Sequence, residues 1–175
     1  ELRYGQSHVR NIRDAGYRTG IVGKTHLWRH GEGHASDHEQ EMHDWGFIDA
    51  RETTGPSESL LTDSRYTDHL ASRGLLHAHR QYFETYLRGA RPFPWELPPT
   101  PLPTQDHLDV FIGGLAQQWI KECPDDKPFY LQVNFGGPHD PWDAPPEYRS
   151  LYNPDDIPIS PRGQRTGPLS THVQL

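Results

Sequence analysis

Two apolar runs of strand length, each emptying into a glycine-rich polar loop, limit what this chain can fold into. The first spans residues 17–22, follows Gly16, and leads into Gly23, Lys24, Thr25 and His26. The second spans residues 129–135 and leads into Gly136, Gly137, Pro138 and His139. A helical pattern precedes each run. In residues 7–15, Val9, Ile12 and Ala15 make an apolar stripe, Ser7 is placed to cap the start, and Gly16 suits the residue past the end. Further on, Leu108, Phe111, Ile112, Leu115, Ala116, Trp119 and Ile120 follow the i, i+3, i+4, i+7 spacing of a one-faced helix. Thr104 or Asp106 would cap that helix, and Cys123-Pro124-Asp125-Asp126 would end it. Helix, loop, strand, polar loop, twice over, is the grammar of an α/β protein with a mostly parallel central sheet.

The rest of the chain is less periodic. Residues 28–66 show no clean pattern, with residues 44–49 reading as a short strand or a tucked turn. Residues 67–88 read as a helix that Gly74 breaks in two. Six prolines between residues 90 and 104 rule out a regular helix or a central strand there, so the segment is expected to run extended over the surface. Pro145, Pro146 and residues 147–152 fit one short helix with proline in its first turn.

Composition removes several functions. The formal net charge is −7 with no block of like charge, which argues against nucleic-acid binding. No stretch reaches the ~20 apolar residues of a membrane-spanning helix. The lone Cys123 cannot form an intramolecular disulfide or a cysteine-based zinc knuckle. Twelve histidines keep one rival open, a histidine-rich metal-binding module without catalysis. His26, His30, His34 and His38 recur every four residues, but Gly31 and Gly33 oppose the helix that would align them, so they read as loop histidines.

Ligands of parallel α/β sheets sit beyond the carboxyl ends of the strands. Lys24 and His26 lie just past one candidate strand and His139 just past the other. If the two strands are parallel neighbours, all three side chains meet on one edge. A lysine supplies a point charge for an anionic oxyacid, and a histidine can donate to an anion or protonate a leaving group. The combination suits a sulfate or phosphate ester.

The run Gly16-Tyr17-Arg18-Thr19 leading into Gly23-Lys24-Thr25-His26-Leu27 resembles the second sulfatase signature, and residues 128–131 with Gly137-Pro138-His139-Asp140-Pro141 resemble that family's later strand and Pro-His-x-Pro loop. Pro145-Pro146-Glu147-Tyr148 and Asp155-Asp156-Ile157-Pro158 resemble the segment that follows. The likeness is specific over residues 8–27 and 106–160 and loose over 28–105. It implies an alkaline-phosphatase-like α/β sandwich, with residues 1–175 as part of a sulfatase catalytic domain, 28–105 as its variable region and 106–160 as its second helix–strand–loop unit. It implies that Lys24 holds a sulfate oxygen, that His26 hydrogen-bonds the hydroxyl of a formylglycine nucleophile, and that His139 binds sulfate or protonates the departing alcohol. Asp140 and Trp142 flank His139 and are candidates for the substrate pocket. Trp28, Trp45 and Trp142 read as packing residues, the last with the pocket as its alternative.

The resemblance also implies parts that these residues do not supply. Cys123 lacks the Cys/Ser-x-Pro-x-Arg context of the nucleophile, since Asp125 and Lys127 stand where proline and arginine would. The calcium ion and formylglycine are therefore expected on segments outside this chain, with no metal ligand within it. Asp125-Asp126 and Asp155-Asp156 read as solvated turn residues. The expected activity is sulfuric ester hydrolysis, with phosphonate monoester or phosphodiester hydrolysis on the same scaffold as the alternative. The expected partner is a small-molecule or saccharide sulfate ester, and the piece alone is expected to be inactive.

Overall fold

The computed structural model describes residues 7–31, 33–88 and 100–158. Most of the proline-rich excursion and the end of the chain lie outside the described residues. The backbone divides into two units, residues 1–145 and 146–175.

In the first unit the elements follow in chain order: α1 (His8–Asp14), β1 (Arg18–Lys24), β2 (Gly33–His34), α2 (Glu39–Trp45), β3 (Asp49–Thr53), β4 (Thr62–Asp63), α3 (Arg65–Ser72), α4 (Leu76–Arg88), α5 (Leu108–Lys121) and β5 (Phe129–Asn134). A three-stranded sheet has the order β3-β1-β5, and β1 runs parallel to both neighbours. The register pairs Gly23 with Glu52 on one side and with Asn134 on the other, so the three strands end together. The short β2 and β4 pair in parallel as a separate ribbon. The second unit holds a short helix, α6 (Pro146–Arg149), and a 3₁₀ turn at Pro154–Asp156.

β1 is the central strand, and its composition explains why. Its five middle residues are all buried. Successive side chains leave opposite faces of a strand, so Ile21 and Val22 serve different cores. Ile21 packs with Val9 of α1, Met42 of α2, Ala50 of β3 and Phe47 from the turn between α2 and β3. Val22 packs with Tyr66, Leu70, Leu108, Ile112 and Trp119, the residues of α3 and α5. Helices thus cover both faces of the sheet, which is why the strand reads as a continuous apolar run rather than an alternating one.

Gly23 closes the strand in a conformation with φ of 98°, and a Cβ there would strike the backbone carbonyl of Asn134. Only glycine lets β1 turn out of the sheet while it stays hydrogen-bonded to β5. At the opposite edge, Arg18 binds Asp49 with Nε and Nη2 at 2.8 and 2.7 Å, joining β1 to β3 where both begin.

Three sequence expectations change in detail. Residues 28–66 are not one irregular loop but hold α2, β3 and the ribbon, elements too short for periodicity to show. Neither Thr104 nor Asp106 caps α5; both lie in a 3₁₀ turn, and His107 takes the cap position. Asp106 is instead buried, facing His69 Nε2 at 2.8 Å and Arg73 Nε at 2.8 Å. Ser7 does sit at the N-cap of α1, but its hydroxyl donates to the Trp45 carbonyl at 2.6 Å rather than accepting from the helix.

Candidate active site

The aligned carboxyl ends of β1 and β5 open onto a cleft of about 920 Å³. Lys24, Thr25 and His26 line it from the end of β1, and Gln132, Asn134 and the 135–139 loop line it from β5. Lys24, His26 and His139 therefore border one hollow. The Lys24 side chain passes close to the backbone of Gly55, where a Cβ would meet Nζ at 2.7 Å. Among the described residues this ammonium has no hydrogen-bond or ion-pair partner. The Glu58 carboxylate reaches the same Gly55 position, near Nζ but beyond ion-pair distance, so this half-buried lysine on the rim of a cleft keeps its donors for an anion.

The Lys24–His26 turn is braced from below. Glu52, at the end of β3, is buried, and its carboxylate accepts from the Thr25 hydroxyl and, at 2.8 Å, from the Trp28 indole N–H. The His30 ring sits 3.8 Å from the same carboxylate and stacks against His26 with centroids 5.7 Å apart. Trp28 stacks on His38 at 3.7 Å. His34 turns away to Ser36 and Asp68. The four evenly spaced histidines thus do not share one face: His26 and His30 stack, while β2 and the 3₁₀ turn at Ala35–His38 carry His34 and His38 to other partners. Among the described residues no group of three His, Cys, Asp or Glu side chains is placed to share a metal ion. The metal-module reading finds no ligand set there.

The His139 loop is held from the other side. Asp109, in the first turn of α5, accepts from the backbone N–H of Gly136 at 2.7 Å and of Gly137 at 3.2 Å. His139 is half exposed, and its Nδ1 lies 2.6 Å from the Asp140 carbonyl and 3.1 Å from an Asp140 carboxylate oxygen. A carbonyl can only accept, so Nδ1 carries a proton and Nε2 is left for other chemistry. The other carboxylate oxygen of Asp140 accepts from the Tyr86 hydroxyl at 3.1 Å.

Asp140 and Trp142 do not border the Lys24 cleft. Asp140 acts on the His139 ring. Trp142 lies on the far side of the loop, where its indole donates to the Pro138 carbonyl at 3.2 Å and its ring lines a second, smaller cavity. His139 borders both hollows. Motif reading missed Glu52, Thr25 and Asp109. Only Asp109 left a signal, an acid in a helix's first turn matched to two consecutive glycine N–H groups downstream.

The fit of the expected cofactors can be judged from the donors present. Cys123 and Asp125-Asp126 fall between the end of α5 and the start of β5, at the edge of the sheet opposite the cleft. One six-residue strand separates the two edges, about 20 Å. Cys123 packs partly buried against the α5 core. Asp155 and Asp156 are exposed in their 3₁₀ turn. These residues do not fit a calcium cage or a nucleophile for this cleft.

The fold and the cleft define an α/β protein that gathers polar strand-end loops along one edge of a parallel sheet. The sulfatase family model matches residues 9–159, which include both strands, both loops and all the cleft residues named above. The chain belongs to the sulfatase family, a family of hydrolases. Neither a curated protein nor a solved structure matches it in the same kind of comparison. No described helix is long and apolar enough to cross a membrane.

Proposed function

We propose that this chain forms one wall of the active site of a sulfuric ester hydrolase. The observation that carries the reading is the Lys24 ammonium, held in no direct hydrogen bond or ion pair among the described residues, sharing a cleft with His26 and His139. In this reading Lys24 holds an oxygen of the sulfate group and offsets charge that grows on it as the S–O bond breaks. The electron pair of that bond stays on the alcohol oxygen, and His139, protonated on both nitrogens, delivers a proton to it from Nε2. Asp140 positions the imidazole through Nδ1. His26 orients the group that receives the sulfuryl unit. That acceptor, expected as formylglycine, and the calcium ion belong in this reading to segments outside these residues. A phosphonate or phosphodiester would engage the same three side chains, and comparing the two ester types decides between them.

The test is turnover of 4-nitrophenyl sulfate and 4-nitrophenyl phenylphosphonate. The 175-residue chain alone is expected to turn over neither. A chain extended by its flanking coding sequence is expected to prefer the sulfate. In that longer chain Lys24→Ala and His139→Ala should each lower kcat/KM by about 10²–10³-fold, the scale of losing one transition-state donor. Unchanged kcat/KM in both variants would overturn the assignment.

A further inference from the structure

The second cavity, about 290 Å³, lies on the opposite side of the His139 loop from the Lys24 cleft. α3 and α4 line it with Tyr66, His79 and Phe83, α5 with Leu108 and Asp109, and the loop with Trp142 and Asp143. Three features mark it as more than a packing gap. First, it is walled largely by aromatic and aliphatic side chains yet holds two carboxylates. Asp109 is committed to the Gly136 and Gly137 N–H groups. Asp143 is mostly buried, and its nearest ionic partner, His107 Nε2, stands 3.7 Å away, too far for a hydrogen bond. Second, apart from His107 and His139 on the cavity wall, the surroundings leave the negative charge unanswered. Arg73 is spent on Asp106, and Arg80 on Asp63 and the Ser59 carbonyl. Burial pushes the His79 imidazole down to about 4, so that ring is neutral at pH 7. The same burial, helped by Asp143, Asp106 and Asp109, pushes the Tyr66 phenol up. Third, His139 borders this cavity and the Lys24 cleft alike. If the sulfate group lies against Lys24 and His139 protonates the ester oxygen, the alcohol half of the ester continues past His139 into this cavity.

We propose that the cavity beside Asp143 and Trp142 is the binding site for the alcohol half of the substrate, and that it selects a compact aromatic alcohol carrying an amine. This rests on the sulfate-ester reading of the Lys24 cleft. An aromatic ring fits the apolar walls against Trp142 and Phe83. An ammonium group answers the Asp143 carboxylate and gains from the aromatic faces. An alcohol bearing a carboxylate would meet like charge in a poorly solvated space and be rejected.

The test uses the 175-residue chain and three probes in calorimetric or NMR titrations: tyramine, 4-hydroxyphenylacetate and inorganic sulfate. Tyramine is expected to bind about tenfold more tightly than 4-hydroxyphenylacetate. Asp143→Asn should erase that preference. Trp142→Ala, at an exposed residue whose loss the fold tolerates, should weaken tyramine several-fold. Lys24→Ala should weaken sulfate and leave tyramine unchanged. Equal binding of the two phenols, or tyramine binding indifferent to both Asp143→Asn and Trp142→Ala, would overturn the proposal even if sulfate binds through Lys24. If tyramine follows Asp143 and Trp142 while sulfate ignores Lys24, the cavity stands as a site for aromatic amines and the sulfate reading fails.

Discussion

The two hollows on either side of His139 are built in opposite ways. The Lys24 cleft is made by adjacent strand ends: Lys24 is the last residue of β1, His26 comes two residues later, and the 135–139 loop follows β5 directly. The Asp143 cavity is assembled from segments that are distant in sequence, with Tyr66, His79, Leu108 and Trp142 each on a different element or loop. The first hollow presents a cation that, among the described residues, makes no direct hydrogen bond or ion pair. The second presents a carboxylate in an aromatic box. One edge of a parallel sheet can thus offer two chemistries, because strand ends fix one set of groups and helix packing behind the loop fixes the other.

Substitutions can separate the two. The largest effect is expected at Gly23, whose left-handed backbone and contact with the Asn134 carbonyl hold the β1–β5 seam from which both hollows hang. Gly23→Val should cost well above the ~1–2 kcal/mol of left-handed backbone alone and abolish cooperative thermal unfolding by circular dichroism. A variant with a wild-type melt would show that the seam does not organise the site.

Glu52→Ala comes next and sharpens the contrast. It leaves the Thr25 hydroxyl and Trp28 indole without their buried acceptor, at a cost of about 3 kcal/mol in urea denaturation. Glu52→Gln keeps one acceptor oxygen and should cost less. Both should weaken sulfate more than tyramine, since Glu52 braces only the Lys24 side. Equal losses for both probes would break the distinction.

His79 reports on the second hollow through pH. Burial lowers its pKa from 6.5 to about 4 in the folded state. Between those values the unfolded chain binds a proton that the folded chain does not, so stability falls as pH falls through that window. The slope is up to about 1.4 kcal/mol per pH unit, roughly 3 kcal/mol in all. Urea midpoints at pH 7 and 5 measure it, and His79→Gln should flatten the difference. A slope that survives the substitution would mean that His79 is not the buried neutral group. The smallest effect is expected for Trp142→Ala, half exposed, which should change stability by no more than about 0.5 kcal/mol while still weakening tyramine.

What the sequence disclosed follows the same division. β1, β5, α1, α5 and the break at Gly74 were legible because apolar spacing and glycine are local signals. The placement of Lys24, His26 and His139 on one edge followed once the strands were read as parallel neighbours. α2 and β3 were not legible: seven and five residues are too few for a period to show, and both are set by packing against β1. Asp106 misled because an acid just before a helix suits a cap, whereas here His69 and Arg73 draw it into the interior. Glu52 and the Asp143 cavity left no pattern in the sequence, since their meaning comes from partners far along the chain. Trp142 reads from sequence as a packing residue or a pocket residue beside His139; in the structure it is half exposed and lines the cavity away from Lys24.

The central claim is that Lys24 makes the strand-end cleft an oxyanion site, and a titration of inorganic sulfate into the wild-type chain and Lys24→Ala tests it most directly. Loss of one charge-assisted contact, about 1.5–3 kcal/mol, predicts that the variant binds sulfate at least tenfold more weakly with an unchanged melting temperature. Equal affinity in the two proteins would contradict the account and leave Lys24 without a function in the cleft.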